Sequence, residues 1–176
     1  MTRAHEAVAT RTDAAAPKAD QEKNQEQICS VRVGDDLFGI RITPILEIVG
    51  GARPQTVPLA PAFVGGLVHY RGDVLTTVSL RSLLGLPQRD GAQDLLVVEN
   101  PSGFFGLLVD SVVEVLKLSS ADYEPNPSTM RENRRALFAG VYKLENGLLI
   151  MLDPACLEPM HLARFDPGAG GRSCAH

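Results

Sequence analysis

With 176 residues, 44% of them apolar, the chain has enough material for one compact domain or for two small ones sharing a core. A net charge of -4 offers no basic field for collecting phosphates, and the absence of Trp leaves few stacking platforms, which counts against nucleic acids and Pro-rich ligands as partners. Cys29, Cys156 and Cys174 show no CxxC spacing, so neither a disulfide framework nor a zinc site is suggested, and free thiols in a reducing cytosol are the expectation.

Residues 1–27 are rich in Ala, Gln, Glu and Lys with almost no large apolar side chain, and read as a flexible leader with a transient helix over Asp20 to Gln27. The leader lacks the apolar h-region of a signal peptide, and no stretch offers the ~20 uninterrupted apolar residues of a membrane helix, so a cytoplasmic chain with no direct membrane insertion is expected. ICSVRV from Ile28, a turn at Gly34 to Asp36 and LFGIRI make a hairpin. Thr43 and Pro44 read as a cap and first position of one helical turn, after which LEIVGG is extended and ARPQTVPLAPAF is a Pro-punctuated loop.

Phe63 to Leu84, FVGGLVHYRGDVLTTVSLRSLL, reads as strand, tight turn, strand and short helix. Gly72 supplies the turn's positive φ, Ser79 the N-cap and Gly85 the stop. The RGD string is read as a turn, not as an integrin ligand. After a polar loop come LLVVEN, a PSG turn, FFGLLVDSVVEVLKL, a loop at YEPNPST and the hairpin FAGVYKLENGLLIMLD. Asp153 and Pro154 cap a final helix to about Arg164, and residues 165–176 are a flexible tail.

Two stretches repeat. FGIRITPILEI at Phe38 matches FGLLVDSVVEV at Phe105, an offset of 105 minus 38, or 67, and FVGGLVHYRGDVLTTVSL at Phe63 matches LFAGVYKLENGLLIMLDP at Leu137, an offset of 74. Two copies of about five short strands argue for small barrels that stand or fall together. Positions alike in both copies, Phe38, Gly39, Phe105, Gly106, Gly66 and Gly140, serve the scaffold. Arg71, matched by Glu145, is a candidate for function.

Catalytic chemistry finds little footing. Cys156 and His161 fall five positions apart on one expected helix, which does not bring them face to face, so a Cys-dependent hydrolase is a weak rival and a buried structural thiol the stronger reading. Histidines 5, 69, 161 and 176 are dispersed, no metal or cofactor site is suggested, and the glycine pairs lack a phosphate loop's lysine.

FGIRITPILEIVG, PAFVGGLVHYRGDVLTTVSLRSLLGLP, FGLLVDSVVEVLKL and FAGVYKLENGLLIMLD, in this order and spacing, resemble the CheW-like family of chemotaxis coupling proteins. The resemblance implies a mainly all-β fold of two intertwined five-stranded SH3-like barrels over 28–160, divided roughly into 43–93 and 28–42 plus 94–152, with a C-terminal helix. It implies a non-enzymatic adaptor between the cytoplasmic tip of a methyl-accepting chemoreceptor and the regulatory domain of the histidine kinase CheA, recruited to membrane-associated receptor arrays. Paralogues serving twitching motility or other chemosensory pathways share the pattern. The family's receptor groove carries over to Arg71, Glu47, Ile45 and Gly66, with Val74 as a lining residue, and a kinase-facing loop to Tyr123, Pro125 and Met130. His69 stands where many members have Asn, and Ser79 where many have Asp; both Ser and Asp cap helices. Leu37, Phe38, Phe104 and Phe105 are expected in the core, with at most one ring left for a partner.

Overall fold

The computed structural model describes residues 25–126, 137–145 and 147–164. In chain order the strands are β1 (Gln25–Val33), β2 (Asp36–Arg41), β3 (Ile45–Ala52), β4 (Val64–Tyr70), β5 (Asp73–Ser79), β6 (Gln93–Asn100), β7 (Gly103–Val109), β8 (Ser111–Ser119), β9 (Tyr123–Pro125), β10 (Phe138–Leu144) and β11 (Gly147–Leu152). Two one-turn helices, α1 (Leu80–Leu83) and α2 (Pro159–Leu162), accompany them. One sheet has the order β8-β1-β2-β11-β10-β9 and the other β3-β6-β7-β5-β4, with Gln55 bridged to Leu67 beyond β4 as β9 is paired beyond β10.

The two sheets share one pairing scheme. The parallel pair Met151↔Gly39 maps onto Thr77↔Gly106 by the offsets 74 and 67, and Ser30↔Glu114 maps onto Val97↔Glu47. Even the bulges repeat. Leu46 is the extra residue of β3 against β6 and Val113 that of β8 against β1, while Gly65 and Ala139 are extra in β4 and β10. Glycine is forced where backbones crowd: a Cβ on Gly66 would lie 2.5 Å from the Gln55 carbonyl oxygen, and one on Gly140 equally close to that of Glu124.

Each half of the chain gives its first hairpin away. β1 and β2 join strands of the second half, and β6 and β7 join strands of the first, so the barrels are interlaced. The expected division at 43–93 therefore moves: β6 pairs along β3 and β7 along β5, and residues 45–109 supply one sheet. Local pattern could not show this, because these strands are buried on both faces and lose their alternation. In β6, Leu96 and Val98 enter a core shared between the sheets, and Leu95 and Val97 enter one barrel's interior. In β1, Cys29, Val31 and Val33 face the shared core and Ile28 the other barrel's interior.

Four local expectations are corrected. Gln25–Gln27 are strand, paired with Lys117–Ser119, so order begins before residue 28 and the helix ending at Gln27 is absent there. Thr43 and Pro44 lie in a turn closed by the Ile45 amide donating to the Ile42 carbonyl at 2.9 Å, and β3 follows at once. Tyr123–Pro125 form an edge strand on β10 where a loop was expected. The last helix shrinks to Pro159–Leu162, since Pro159 cannot continue a helix from upstream, and Cys156 sits in the preceding turn. Cys156 is disulfide-bonded, which overturns the free-thiol expectation for that sulfur.

One polar clasp ties the barrels together. Asp110, in the β7–β8 connection and 5% exposed, accepts from Arg81 Nη1 on α1 at 2.5 Å and from the Gly34 amide in the β1–β2 turn at 2.8 Å.

Candidate functional site

The β4–β5 hairpin turns on Arg71 and Gly72, with φ of 50° and 96°. Two consecutive positive φ values suit the right-handed twist of a two-residue hairpin, a conformation that costs a non-glycine residue about 1 kcal/mol. Arg71 holds it in spite of that cost. Its guanidinium crests the turn, 72% exposed, and Nη2 donates to Glu47 Oε2 at 2.6 Å across from β3.

Tyr70 completes the arrangement. Its hydroxyl donates to the same Glu47 oxygen at 2.7 Å, and its ring lies 5.2 Å below the Arg71 guanidinium. The Tyr70 hydrogen bond, with Arg71 beside it, holds the Glu47 carboxyl below the ordinary carboxylate range, and the same bond raises the Tyr70 phenol. Glu47 therefore stays ionised and fixes the arginine's position.

An apolar strip continues from this cluster. The Tyr70 ring meets Phe104 edge-on at 6.3 Å, and Phe104 lines a shallow cleft of about 230 Å³ with Val74, Thr76 and Met160. Phe104 is 44% exposed, Met160 63% and Val74 69%, too much apolar area in one place for side chains with only a packing role. Phe38 and Phe105 are core, so of these three rings Phe104 is the exposed one.

The expected receptor residues thus divide. Arg71 and Glu47 touch, and Val74 opens the adjoining cleft. Ile45 packs toward the shared core, and Gly66 is buried under the Pro54–Gln55 backbone, where it shapes β4 without presenting a surface. On the kinase-facing side, the Tyr123 hydroxyl donates to the Ala139 carbonyl at 2.5 Å and its ring tilts against Tyr142 at 5.3 Å, so its side chain is committed inward. Pro125 is exposed at the sheet edge, and Met130 lies outside the described residues. Sequence reasoning missed Tyr70 and Met160, and expected Phe104 in the core, allowing at most one ring outside it. The comparison of copies that singles out Arg71 would have found the first, since Tyr70 falls on Leu144, which has no hydroxyl.

Comparison with known proteins places the chain in a family. Residues 27–158 match the family model described as CheW-like domain. The chain is 31% identical over 146 residues to the chemotaxis protein CheW of Helicobacter pylori, covering 81% of this chain and 88% of that protein. It is 30% identical over 129 residues to the CheW of Rhizobium meliloti, covering 72% and 83%. Protein FrzA of Myxococcus xanthus is 27% identical over 111 residues, covering 62% and 69%. The solved scaffolding protein TtCheW from Thermoanaerobacter tengcongensis superposes with a TM-score of 0.70 at 22% identity, covering 84% of this chain and 97% of that one, a likeness of fold. With its doubled SH3-like architecture and a matched span of most of its length, the chain belongs to the CheW-like family of chemotaxis coupling adaptors.

Proposed function

We propose that this protein couples the cytoplasmic tip of a methyl-accepting chemoreceptor to the regulatory domain of the histidine kinase CheA, at membrane-associated arrays and without bond-making chemistry of its own. The observation that carries the reading is the Arg71–Glu47–Tyr70 cluster beside the Val74–Phe104–Met160 strip. A receptor tip is a helical hairpin, and a groove with an apolar wall and one oriented cation suits a helix face. Glu47 engages Nη2 of Arg71, and a guanidinium has five N–H donors in all, so a receptor carboxylate or carbonyl can be bound without breaking the internal pair.

Arg71→Ala tests this. Its fold should hold, with stability changed by no more than about 0.5 kcal/mol, as for an exposed surface position. Co-sedimentation with receptor-bearing membranes should weaken roughly tenfold, the effect of losing one charge-assisted hydrogen bond. Unchanged co-sedimentation would refute the site. Deleting the gene should abolish receptor control of kinase phosphorylation while basal autophosphorylation continues.

A further inference from the structure

The duplication that builds the barrels also places a second groove where the first has its partner-facing strip. The offsets 67 and 74 carry Glu47, Tyr70, Arg71, Val74 and Phe104 onto Glu114, Leu144, Glu145, Leu148 and Leu37. All five counterparts line one open groove of about 820 Å³, well over three times the volume of the first cleft.

Its chemistry is inverted. The oriented arginine is replaced by Glu145, and Asp35, Asp36 and Glu114 add three more carboxylates against the single cation Arg32, a balance of -3 among the described lining residues. None of these four acids forms an ion pair with a described residue, so their field extends into the groove undischarged. The lining is also apolar, with Leu148 57% exposed beside Leu37, Leu116 and Ile150.

The rim is held in place. The Gly34 amide is bound to Asp110, which fixes the turn carrying Asp35 and Asp36. The buried Ser30 hydroxyl donates to the Glu114 carbonyl at 2.8 Å and accepts from its amide at 3.2 Å, pinning the strand at its bulge. We propose that this groove is a second docking surface, for a basic amphipathic segment of a partner protein that seats apolar side chains on Leu148 and its neighbours and sets Lys or Arg against Glu145, Glu114 and Asp36. A groove of this volume takes roughly two turns of a helix about 10 Å wide. Acidic lining rejects nucleic acid, and the apolar part of the lining favours an amphipathic segment over a merely cationic one.

The probe is a 14-residue amidated peptide of Leu and Lys at helical spacing, titrated into the full chain by calorimetry and by amide NMR. Shifts should centre on Leu37, Glu145 and Leu148, and Asp36→Lys with Glu145→Lys should weaken binding at least tenfold. Leu148→Ser should weaken it several-fold, while Arg71→Ala and the loop control Asp90→Lys leave it unchanged. The proposal is overturned if the charge-reversed protein binds equally, if Asp90→Lys weakens binding as much, or if Leu-free oligolysine binds as tightly. Self-association of the chain through this face, with no affinity for the peptide, would also overturn it. Because Arg71→Ala spares this groove, failure here leaves the receptor reading standing, and the converse holds too.

Discussion

The two barrels agree where backbones crowd and differ where side chains reach solvent. Gly66 and Gly140 meet carbonyl oxygens at the same imagined distance, and Leu46 and Val113 bulge at matching places. Yet one rim carries Arg71 clamped by Glu47, and the other four acids that form no ion pair with a described residue and share the lining with the single cation Arg32. Steric necessity has preserved the scaffold, and surface chemistry has been free to diverge into two unlike rims. The Arg81–Asp110 clasp also breaks the symmetry, since the same offsets carry these residues onto Ala155 and Thr43.

The equivalence of the halves is broken most severely by separating them. Residues 25–90 alone should show no cooperative unfolding by circular dichroism, because β1 and β2 lose β8 and β11 while β3 to β5 lose β6 and β7. Mixing with residues 91–164 should restore it. Next in size is the clasp: Arg81→Ala leaves Asp110 buried with one carboxylate oxygen already lacking a partner, and should cost about 3 kcal/mol in urea unfolding. Gly66→Ala and Gly140→Ala sharpen the comparison. Both place a methyl against a carbonyl, but only Gly66 also has a positive φ, of 130°, so its substitution should be the more damaging, by about 1 kcal/mol.

Smallest is Tyr70→Phe. The Glu47 carboxyl is depressed in the folded protein, so its contribution is present above the unfolded-state value and is lost as pH falls through the folded one. Removing the hydroxyl should move the Glu47 titration, followed by carboxyl NMR, upward toward the ordinary range. An unmoved titration would show that Arg71 alone holds the carboxylate.

Much of the fold was legible in the sequence because turns and crowded backbone are written in single residues. Gly72, the Ser79 cap and the matched glycines announce the hairpins, and Ser79 does accept from the Ser82 amide. The exchange of hairpins was not legible. Its strands are shielded on both faces, and nothing in LLVV says which neighbour it pairs with. In the site, Arg71 stood out as a difference between copies, whereas Phe104 sat within an apolar run and Met160 met it only through the path of the chain after β11. Ile45 and Gly66 were groove candidates by resemblance, yet Ile45 is half-buried and Gly66 buried through packing that no local pattern records.

The interlacing also governs how the protein is made. The amino-terminal hairpin is synthesised first, but its edge partner β8 starts at Ser111, 70 residues after Arg41 ends β2. At 5–20 residues per second the ribosome needs roughly 4–14 s to deliver that partner. Throughout this interval β1 lacks the strand it pairs with, and Ile28, Val31, Phe38 and Ile40, all buried in the folded chain, have no complete core to enter, so changing the rate of translation is expected to change the soluble yield.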